Sequence, residues 1–533
     1  VLDVRSAEET RRGVHGAAEA SLISSVLSLG GAMGDGKGSW MIAGRRTYID
    51  KAVDFYQHNA LPYHFRDAQA HVARLLPGDV RLSVTGYDGL DRVDFTESRD
   101  HFYVAWGNRV VGSTLSKTFH DRPRLFGLSL GDSVTVEQRL SSSRFNTDVD
   151  LANGAFKLRS LVDDRRIGGG LTVFTPRHDW TFGYDVASQR LSYWVNRDVP
   201  LFPVDSLGGV TRSASFFVDD LWRLMPSLLI QAGVRVDALD APRWTGAQPR
   251  LSAKYFVNDN FALTAAVGQY AQWVRSLSRE DIPIRPLDFW IGSDASTPVS
   301  RAWHYVAGFE RWATPRRMLR VEGFYKSYRD LLEPNPRADA LLGGDEFLAT
   351  AGGSSYGADL VLRQFDGKRF SGWLAYTYTV SARIDADGTR HFAAQDRRHD
   401  VNLVGSWQFA KYTLGARFGV ATGTPYTHVR GDFVRHEYDP ATHDFPEAGS
   451  TDVQYLVGPR NGERLPIAHR LDVSAMRHGR LFGASVSPYL SISNAYNARN
   501  VFAYVFDYSK LPPTRFGLPQ SPILPTIGLS VVW

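Results

Sequence analysis

The sequence predicts an all-β fold: a transmembrane antiparallel β-barrel of about 22 strands, with short turns at one end and long loops at the other. Three observations lead there. The last dozen residues, Pro522 to Trp533, alternate strictly from Ile527. Ile527, Leu529, Val531 and Trp533 share one face, with Gly528, Ser530 and Val532 on the other, the two-residue period of a strand. Connections along the chain fall into two length classes that alternate. Charged residues occupy one face of strand after strand, opposite an apolar face.

The connections take the chain in order. Short, turn-rich sequences recur at Gly34-Asp35-Gly36-Lys37, Pro77-Gly78-Asp79, Asp121-Arg122-Pro123-Arg124, Thr175 to Asp179 and Pro226-Ser227. They continue at Asn258-Asp259, Thr314 to Arg317, Asp366-Gly367-Lys368, Ala410-Lys411 and His478-Gly479-Arg480. Their composition is that of hairpin turns. Between them lie longer polar connections near 50–60, 88–100, 140–154, 196–211, 276–298, 331–352, 383–396, 422–467 and 495–520. Ten or so turns interleaved with eleven or so loops give about 22 strands, and segregated connection lengths are the signature of an outer-membrane barrel.

The strands agree. Phe370, Leu374, Tyr376, Tyr378 and Val380 oppose Ser371, Thr377, Thr379 and Ser381. Leu228, Ile230, Ala232, Val234 and Val236 oppose Gln231, Arg235 and Asp237, and Leu319, Val321 and Tyr325 oppose Arg320, Glu322 and Lys326. Tyr412 to Val420 and Phe482 to Ile492 repeat the pattern. Full charges on so many inner faces are intolerable in a packed sandwich core, which excludes the soluble β-sandwich. One stretch, 214–224, places an aspartate on each face; it reads as a strand whose end dips into the short-turn rim. VLDV at the start also alternates, so the chain is expected to begin inside a strand, and residues 1–533 are read as a single barrel domain.

Composition narrows the function. Mean hydropathy is −0.25 and no apolar run reaches the roughly 18 residues of a transmembrane helix. Cysteine is absent, which removes disulfides and thiolate metal sites. Nine lysines and 52 arginines are dispersed without a basic block, so no nucleic-acid partner is implied. Dispersed arginines fit a wet lumen, anionic lipid headgroups or, equally, plain solvated charge in loops. No GxSxG elbow, HExxH helix or phosphate loop is present, so no enzymatic activity and no cofactor are expected. His428, His436, Asp439 and His443 share the long loop 422–467 without ligand spacing, and no metal site is assigned to them. Arg285, Asp288, Trp290, Arg301 and His304 around one loop, with Arg397, Arg398 and His399 at another, are the candidate ligand-binding residues of the mouth. Arginines beside aromatics suit an anionic or aromatic ligand.

Several runs resemble the barrel of TonB-dependent outer-membrane receptors: GSWMIAGRRTYID (38–50), ASFFVDDLWRL (214–224), VGQYAQWVRSLSRED with PLDFW (267–290) and YGADLVLRQFDGKRFSGWLAYTYTVS (356–381). QDRRHDVNLVGSWQF (395–409), GVATGTPYT (419–427), LPIAHRLDVSAMR (465–477), PYLSISNAYNARNVFAY (488–504) and the terminal PILPTIGLSVVW complete an ordered set spanning the chain. The resemblance implies energy-coupled uptake of a scarce nutrient such as a ferric siderophore across the outer membrane of a Gram-negative-type bacterium. It also implies partners: outer-membrane lipid, a plug domain, the TonB-ExbB-ExbD motor acting through that plug, and the barrel-insertion machinery. The insertion signal would be Ile527, Leu529, Val531 and Trp533, with Trp533 where such barrels more often end in Phe. The family's signal peptide and plug have no counterpart here, so a plug upstream or on a separate polypeptide is expected, because an empty lumen this wide would breach the envelope. A docking barrel filled by a partner protein, or a wide pore, is the alternative.

Overall fold

A computed structural model describes residues 8, 11–48, 63–94, 102–125, 128–129, 131–151, 156–195, 206–277, 289–294, 297–334, 347–349, 352–365, 367, 369–434, 453–507 and 514–533. Twenty-two principal strands form one closed antiparallel sheet. They are β1 His15–Ser21, β2 Ser24–Ala32, β3 Gly38–Thr47, β4 Tyr63–Leu76, β5 Val80–Asp94, β6 Phe102–Phe119, β7 Ser133–Leu151 and β8 Phe156–Phe174. Next come β9 His178–Val195, β10 Ser206–Met225, β11 Leu228–Leu239, β12 Trp244–Asn258, β13 Phe261–Gln272, β14 Ser300–Thr314 and β15 Arg317–Arg329. The circle is completed by β16 Gly352–Gln364, β17 Phe370–Ile384, β18 His399–Phe409, β19 Tyr412–Ala421, β20 Ala468–Arg477, β21 Ala484–Ser493 and β22 Leu524–Val532. Two short pieces, Arg390–Phe392 and Gly479–Leu481, extend the sheet at its ends.

Closure is made by the stretch that announced the fold. β22 pairs with β21 on one side and with β1 on the other, Ala18 facing Val531 and Ala20 facing Leu529. Gly16 and Trp533 exchange both backbone hydrogen bonds, at 3.1 and 3.0 Å. Residue 16 has to be glycine for this seam: a Cβ there would lie 2.3 Å from Cζ2 of the Trp533 ring. VLDV at residues 1–4 lies outside the described residues; the first barrel strand is His15–Ser21.

Cross-strand register carries one apolar face around the whole circle, because directly paired residues point the same way. Leu251, Val267, Tyr305, Tyr325, Tyr356 and Val380 follow one another in adjacent strands. Leu374, Leu403, Phe418 and Leu471 do the same further round. Most of these outward positions are open to the surroundings, Leu251 by 49% and Leu403 by 50%, while Val380, at the loop end of its strand, is buried. A contiguous exposed apolar belt on this scale demands lipid. Aromatics rim it at both levels: Trp407, Phe409 and Tyr412 near the short turns, Tyr305, Tyr325 and Tyr356 near the loops. The inner face is polar and ion-paired, as in Arg166 with Asp164 and Asp185 (3.1 and 2.8 Å), Lys254 with Glu310 (3.4 Å) and Arg320 with Glu322 (2.5 Å).

The structure corrects the sequence reading in three places and resolves a fourth. The connections predicted over 88–100 and 140–154 are largely strand, since β5 runs to Asp94 and β7 to Leu151, and β10 begins at Ser206 inside the predicted 196–211 loop. The predicted tight turn at Asp121–Arg124 is a longer connection, with left-handed Asp121 and Arg122 followed by a small hairpin, Arg124–Leu125 against Leu128–Ser129. Phe482 is a turn residue, 98% exposed, and β21 starts at Ala484. The ambiguous 214–224 stretch is part of β10, regular as far as Arg223 and bulged at Leu224. Asp219 points inward and accepts from Gln231 Nε2 (2.7 Å), while Asp220 points outward at the short-turn rim and pairs with His178 (2.8 Å).

Wall height is uneven. Strands β6 to β10 have 18, 19, 19, 18 and 20 residues, whereas β19, β20 and β21 have 10 each. At ~3.3 Å per residue and ~45° tilt, the tall side rises ~45 Å and the low side ~23 Å, against an apolar band of about 25 Å. The low side therefore ends at the membrane surface, and the longest loops spring from it. Replacing Gly16 by Leu is expected to open the seam and lower the temperature at which the folded barrel unfolds in heated-gel mobility. Gly34→Leu, with nothing within 4 Å of an added Cβ, is the control that leaves it unchanged.

Candidate functional site at the barrel mouth

The candidate site begins where the chain leaves β13. Val274–Leu277 and Phe289–Gly292 form a hairpin paired only with itself. It folds to the inside and lies on the inner wall of the tall side. Trp290 meets Phe145 of β7 edge-on (ring centroids 6.5 Å), and Trp273 Nε1 donates to Gln189 Oε1 of β9 (3.0 Å). Gly292 lies so close that an added Cβ would sit 3.2 Å from Leu191 Cδ1. The inner-face residues Leu191, Thr211, Ser213, Ser215, Asp237 and Leu239 are buried, as are Ile291 and Ser293 of the hairpin side. A small core thus exists inside the mouth.

Arg275 fixes the base of this hairpin. Its guanidinium is buried and donates to Ser293 Oγ and Ser300 Oγ, both at 2.6 Å, and to the carbonyls of Pro298 and Asp330. Burial pushes its pKa down, with the negative charges of Asp294 and Asp330 acting the other way. Arg301 is paired with Asp330 (2.7 Å) and its register puts it on the outer face, alongside Tyr305. His304 points inward, its ring 4.5 Å from Tyr270, directly across from Lys326, with Arg250 over the Tyr270 ring at 4.7 Å. Arg250, Tyr270, His304 and Lys326 form a cationic and aromatic strip on the inner wall. Arg285 and Asp288 lie outside the described residues.

The second loop pair is tied by one carboxylate. Asp396 is fully buried; it accepts from Ser381 N (2.5 Å), from Arg398 Nε (2.9 Å) and from Arg464 Nη2. Arg398 and Arg464 both lie over the Phe392 ring, at 4.5 and 5.4 Å. Arg398 is therefore committed to holding loop 385–398 against loop 422–467. Arg397 is more open and reaches Asp400 at 3.4 Å. His399 starts β18 on the outer face and shares a hydrogen bond with the Tyr376 hydroxyl (2.9 Å).

Further up, Tyr426 donates to Glu463 (2.7 Å), His428 faces the same carboxylate (3.0 Å), and Arg515 reaches Tyr426 (2.5 Å) while lying over the Tyr504 ring (4.6 Å). Hydrogen bonds from Tyr426 and His428 hold the Glu463 carboxyl below its ordinary value, and burial with the Glu463 contact raises the Tyr426 hydroxyl. His436, Asp439 and His443 lie outside the described residues, and no cluster of three His, Cys, Asp or Glu converges among the described ones. Sequence reading missed Arg275, Asp396, Arg464 and Glu463. Their partners lie up to 68 residues away along the chain, as for Arg464 and Asp396, and only loop closure reveals them.

A closed barrel with an apolar belt, a polar lumen and a built mouth at the long-loop end defines an outer-membrane β-barrel receptor or transporter. The family model described as "TonB dependent receptor-like, beta-barrel" matches residues 45–453, and the chain belongs to that family. Its location is accordingly the outer membrane of Gram-negative bacteria, with the long loops extracellular, and it is a receptor or transporter component, not an enzyme. The family implies work with a plug and with TonB.

Among solved structures, the ferric-catecholate import receptor Fiu from E. coli K12 is 11% identical, with 99% of this chain and 83% of that chain covered and a TM-score of 0.66. The ferripyoverdine receptor of the Pseudomonas aeruginosa outer membrane, bound to ferripyoverdine, is 12% identical over 99% and 72%, TM-score 0.66. The copper transporter OprC is 11% identical over 99% and 81%, TM-score 0.65. At these identities the likeness is one of fold. No curated protein matches the chain in sequence.

Removing Asp396 leaves Arg398 and Arg464 facing each other without a counter-charge, at a cost of about 3–5 kcal/mol for a broken buried pair. Asp396→Ala is expected to speed amide hydrogen exchange in 385–398 and 460–465, with the rate in β17 below Ser381 unchanged.

Proposed function

We propose that this chain is the barrel of an energy-coupled importer that takes up a scarce solute too large for passive pores, such as a ferric chelate. The observation that supports this best is the mouth. Its hairpin is held on the tall inner wall by Trp290 and Trp273 and at its base by Arg275, and beside it runs the inward strip of Arg250, Tyr270, His304 and Lys326. Guanidinium and ammonium groups beside aromatic rings bind planar, anionic ligands by charge-assisted hydrogen bonds and by stacking. Receptors of similar fold carry ferric-catecholate and ferripyoverdine, which points the same way.

In this reading residues 1–533 serve as the barrel domain and a plug closes the lumen. The ExbB-ExbD motor acts through TonB on that plug, and the barrel itself makes and breaks no bond. The insertion machinery would read the outward Ile527, Leu529, Val531 and Trp533. Of the mouth residues proposed from sequence, Trp290 and His304 face the lumen side. Arg397, Arg398, His399 and Arg301 would act by positioning the loops around it, and Arg285 and Asp288 belong to the same hairpin connection.

The test is uptake of radiolabelled ferric catecholate, hydroxamate and citrate chelates by cells whose own iron receptors are deleted and which express this protein with its plug. Accumulation that needs TonB, and that falls about tenfold or more in a His304→Ala, Lys326→Ala double variant, is the expected result. Accumulation that persists without TonB would mean a passive pore.

A further inference from the structure

Uptake through the lumen leaves unused a set of charges on the outside of the tall wall. On β8 the outward positions pass upward from Leu171 and Ile167 to Arg165. On β9 they pass from Phe182 and Val186 to Arg190, and on β7 from Val136 and Leu140 to Arg144. On β6 they pass from Leu115 and Val111 to Arg109, and on β10 from Phe216 to Arg212. Register fixes these assignments: Leu140, Ile167 and Val186 are directly paired, as are Leu171 and Phe182. Each arginine stands about 10 to 14 residues above its short turn, which is ~23–32 Å of rise, the top edge of an apolar band about 25 Å tall.

The arginines form one patch across five adjacent strands. Arg109 is directly opposite Arg144, and Ser188 pairs with both Arg165 and Arg212. Like charges set directly across a ladder are destabilising unless a counter-charge joins them. Part of that counter-charge is built in. Asp88 pairs with Arg109 (2.6 Å), Asp163 with Arg144 (2.7 Å) and Arg165 (3.4 Å), and Asp240 with Arg212 (3.4 Å). Five guanidiniums against three carboxylates leave the patch positive. Asp163 is also recessed, its side chain 12% exposed against 55% for Arg144 and 73% for Arg165. The carboxylate therefore sits beneath and between two guanidiniums, whose remaining donors face outward. No lysine takes part, although a lysine would serve as well for bulk charge; the planar fork of arginine is what matches a phosphate bidentately.

We propose that Arg109, Arg144, Arg165, Arg190 and Arg212 bind the phosphate groups of a phosphorylated lipid in the outer leaflet. The occupant is a lipid because the outward faces of Val111, Leu140, Ile167, Val186 and Phe216 lie just below, open and apolar. One molecule with acyl chains on that surface and phosphate at its head satisfies both halves. The inference goes beyond the uptake reading and does not depend on which solute is carried.

The experiment uses the full chain in lipid nanodiscs and counts retained lipid by native mass spectrometry after detergent extraction. The probes are bisphosphorylated lipid A and the same lipid with its phosphates removed. Retention of the phosphorylated form at least tenfold above the dephosphorylated form is expected. It should survive millimolar inorganic phosphate and fall at least tenfold in Arg109→Gln, Arg165→Gln, Arg212→Gln combined. Arg363→Gln, the same kind of substitution on the inner wall, should leave it unaltered. Equal retention of the two lipids would reduce the contact to acyl chains and overturn the proposal, and displacement by inorganic phosphate would make it a free-anion site and overturn it too. The two-lipid comparison needs no variant, so a triple variant that fails to fold does not blunt the test.

Discussion

Hydrocarbon offers no hydrogen-bond partners, so a strand can cross it only if both edges are paired. Everything else in this molecule depends on meeting that constraint at one seam, between β1 and β22. An open sheet of 22 strands would present two edges to lipid, each unsatisfied group costing several kcal/mol. Closing it satisfies them together, and the paired backbone hydrogen bonds between Gly16 and Trp533 extend the seam beyond β22. The Trp533 ring covering Gly16 makes the seam specific as well as closed, since only a residue without Cβ admits it.

Once the cylinder is closed, the two-residue period of every strand sorts side chains into lipid-facing and lumen-facing sets. The lumen-facing set is charged yet largely self-compensating, with pairs such as Arg166–Asp185 and Lys254–Glu310 lying along and across strands. Such a wall stays rigid while remaining wettable. The uneven height then shapes the mouth. The tall side gives the inward hairpin a wall to lie on, and the low side gives the long loops room to reach over. Buried Arg275 and buried Asp396 play matching parts on the two sides, each converting a long connection into a fixed object by using its charge on groups distant in sequence.

Much of the fold was legible because barrel strands report themselves locally. The faces read from 228–237, 319–326, 370–381 and 412–420 are the faces the register gives, and the alternation of turns and loops gives the strand number. What the sequence reading missed was how far β5, β7 and β10 rise above the membrane. Where β7 and β10 rise into water, both faces turn polar, and a polar strand is indistinguishable from a loop by hydropathy. The mouth was less legible for a different reason. Arg398 looked like a free ligand group because Asp396 beside it is common in loops, and nothing local says that Arg464 will arrive from the other side. His399 follows two arginines in sequence but belongs to the outer face, because the β18 period takes over at that residue.

The central claim is a cylinder with lipid outside and water within, and the absence of native cysteine makes it directly measurable. Single cysteines placed in turn at residues 228–236 of β11, with the protein in lipid vesicles, can be titrated with a membrane-impermeant maleimide. Labelling that alternates with a two-residue period, fast at the inward 229, 231, 233 and 235 and slow at the outward 230, 232, 234 and 236, is the predicted result. Uniform labelling along the strand, or protection at the inward positions instead, would contradict it.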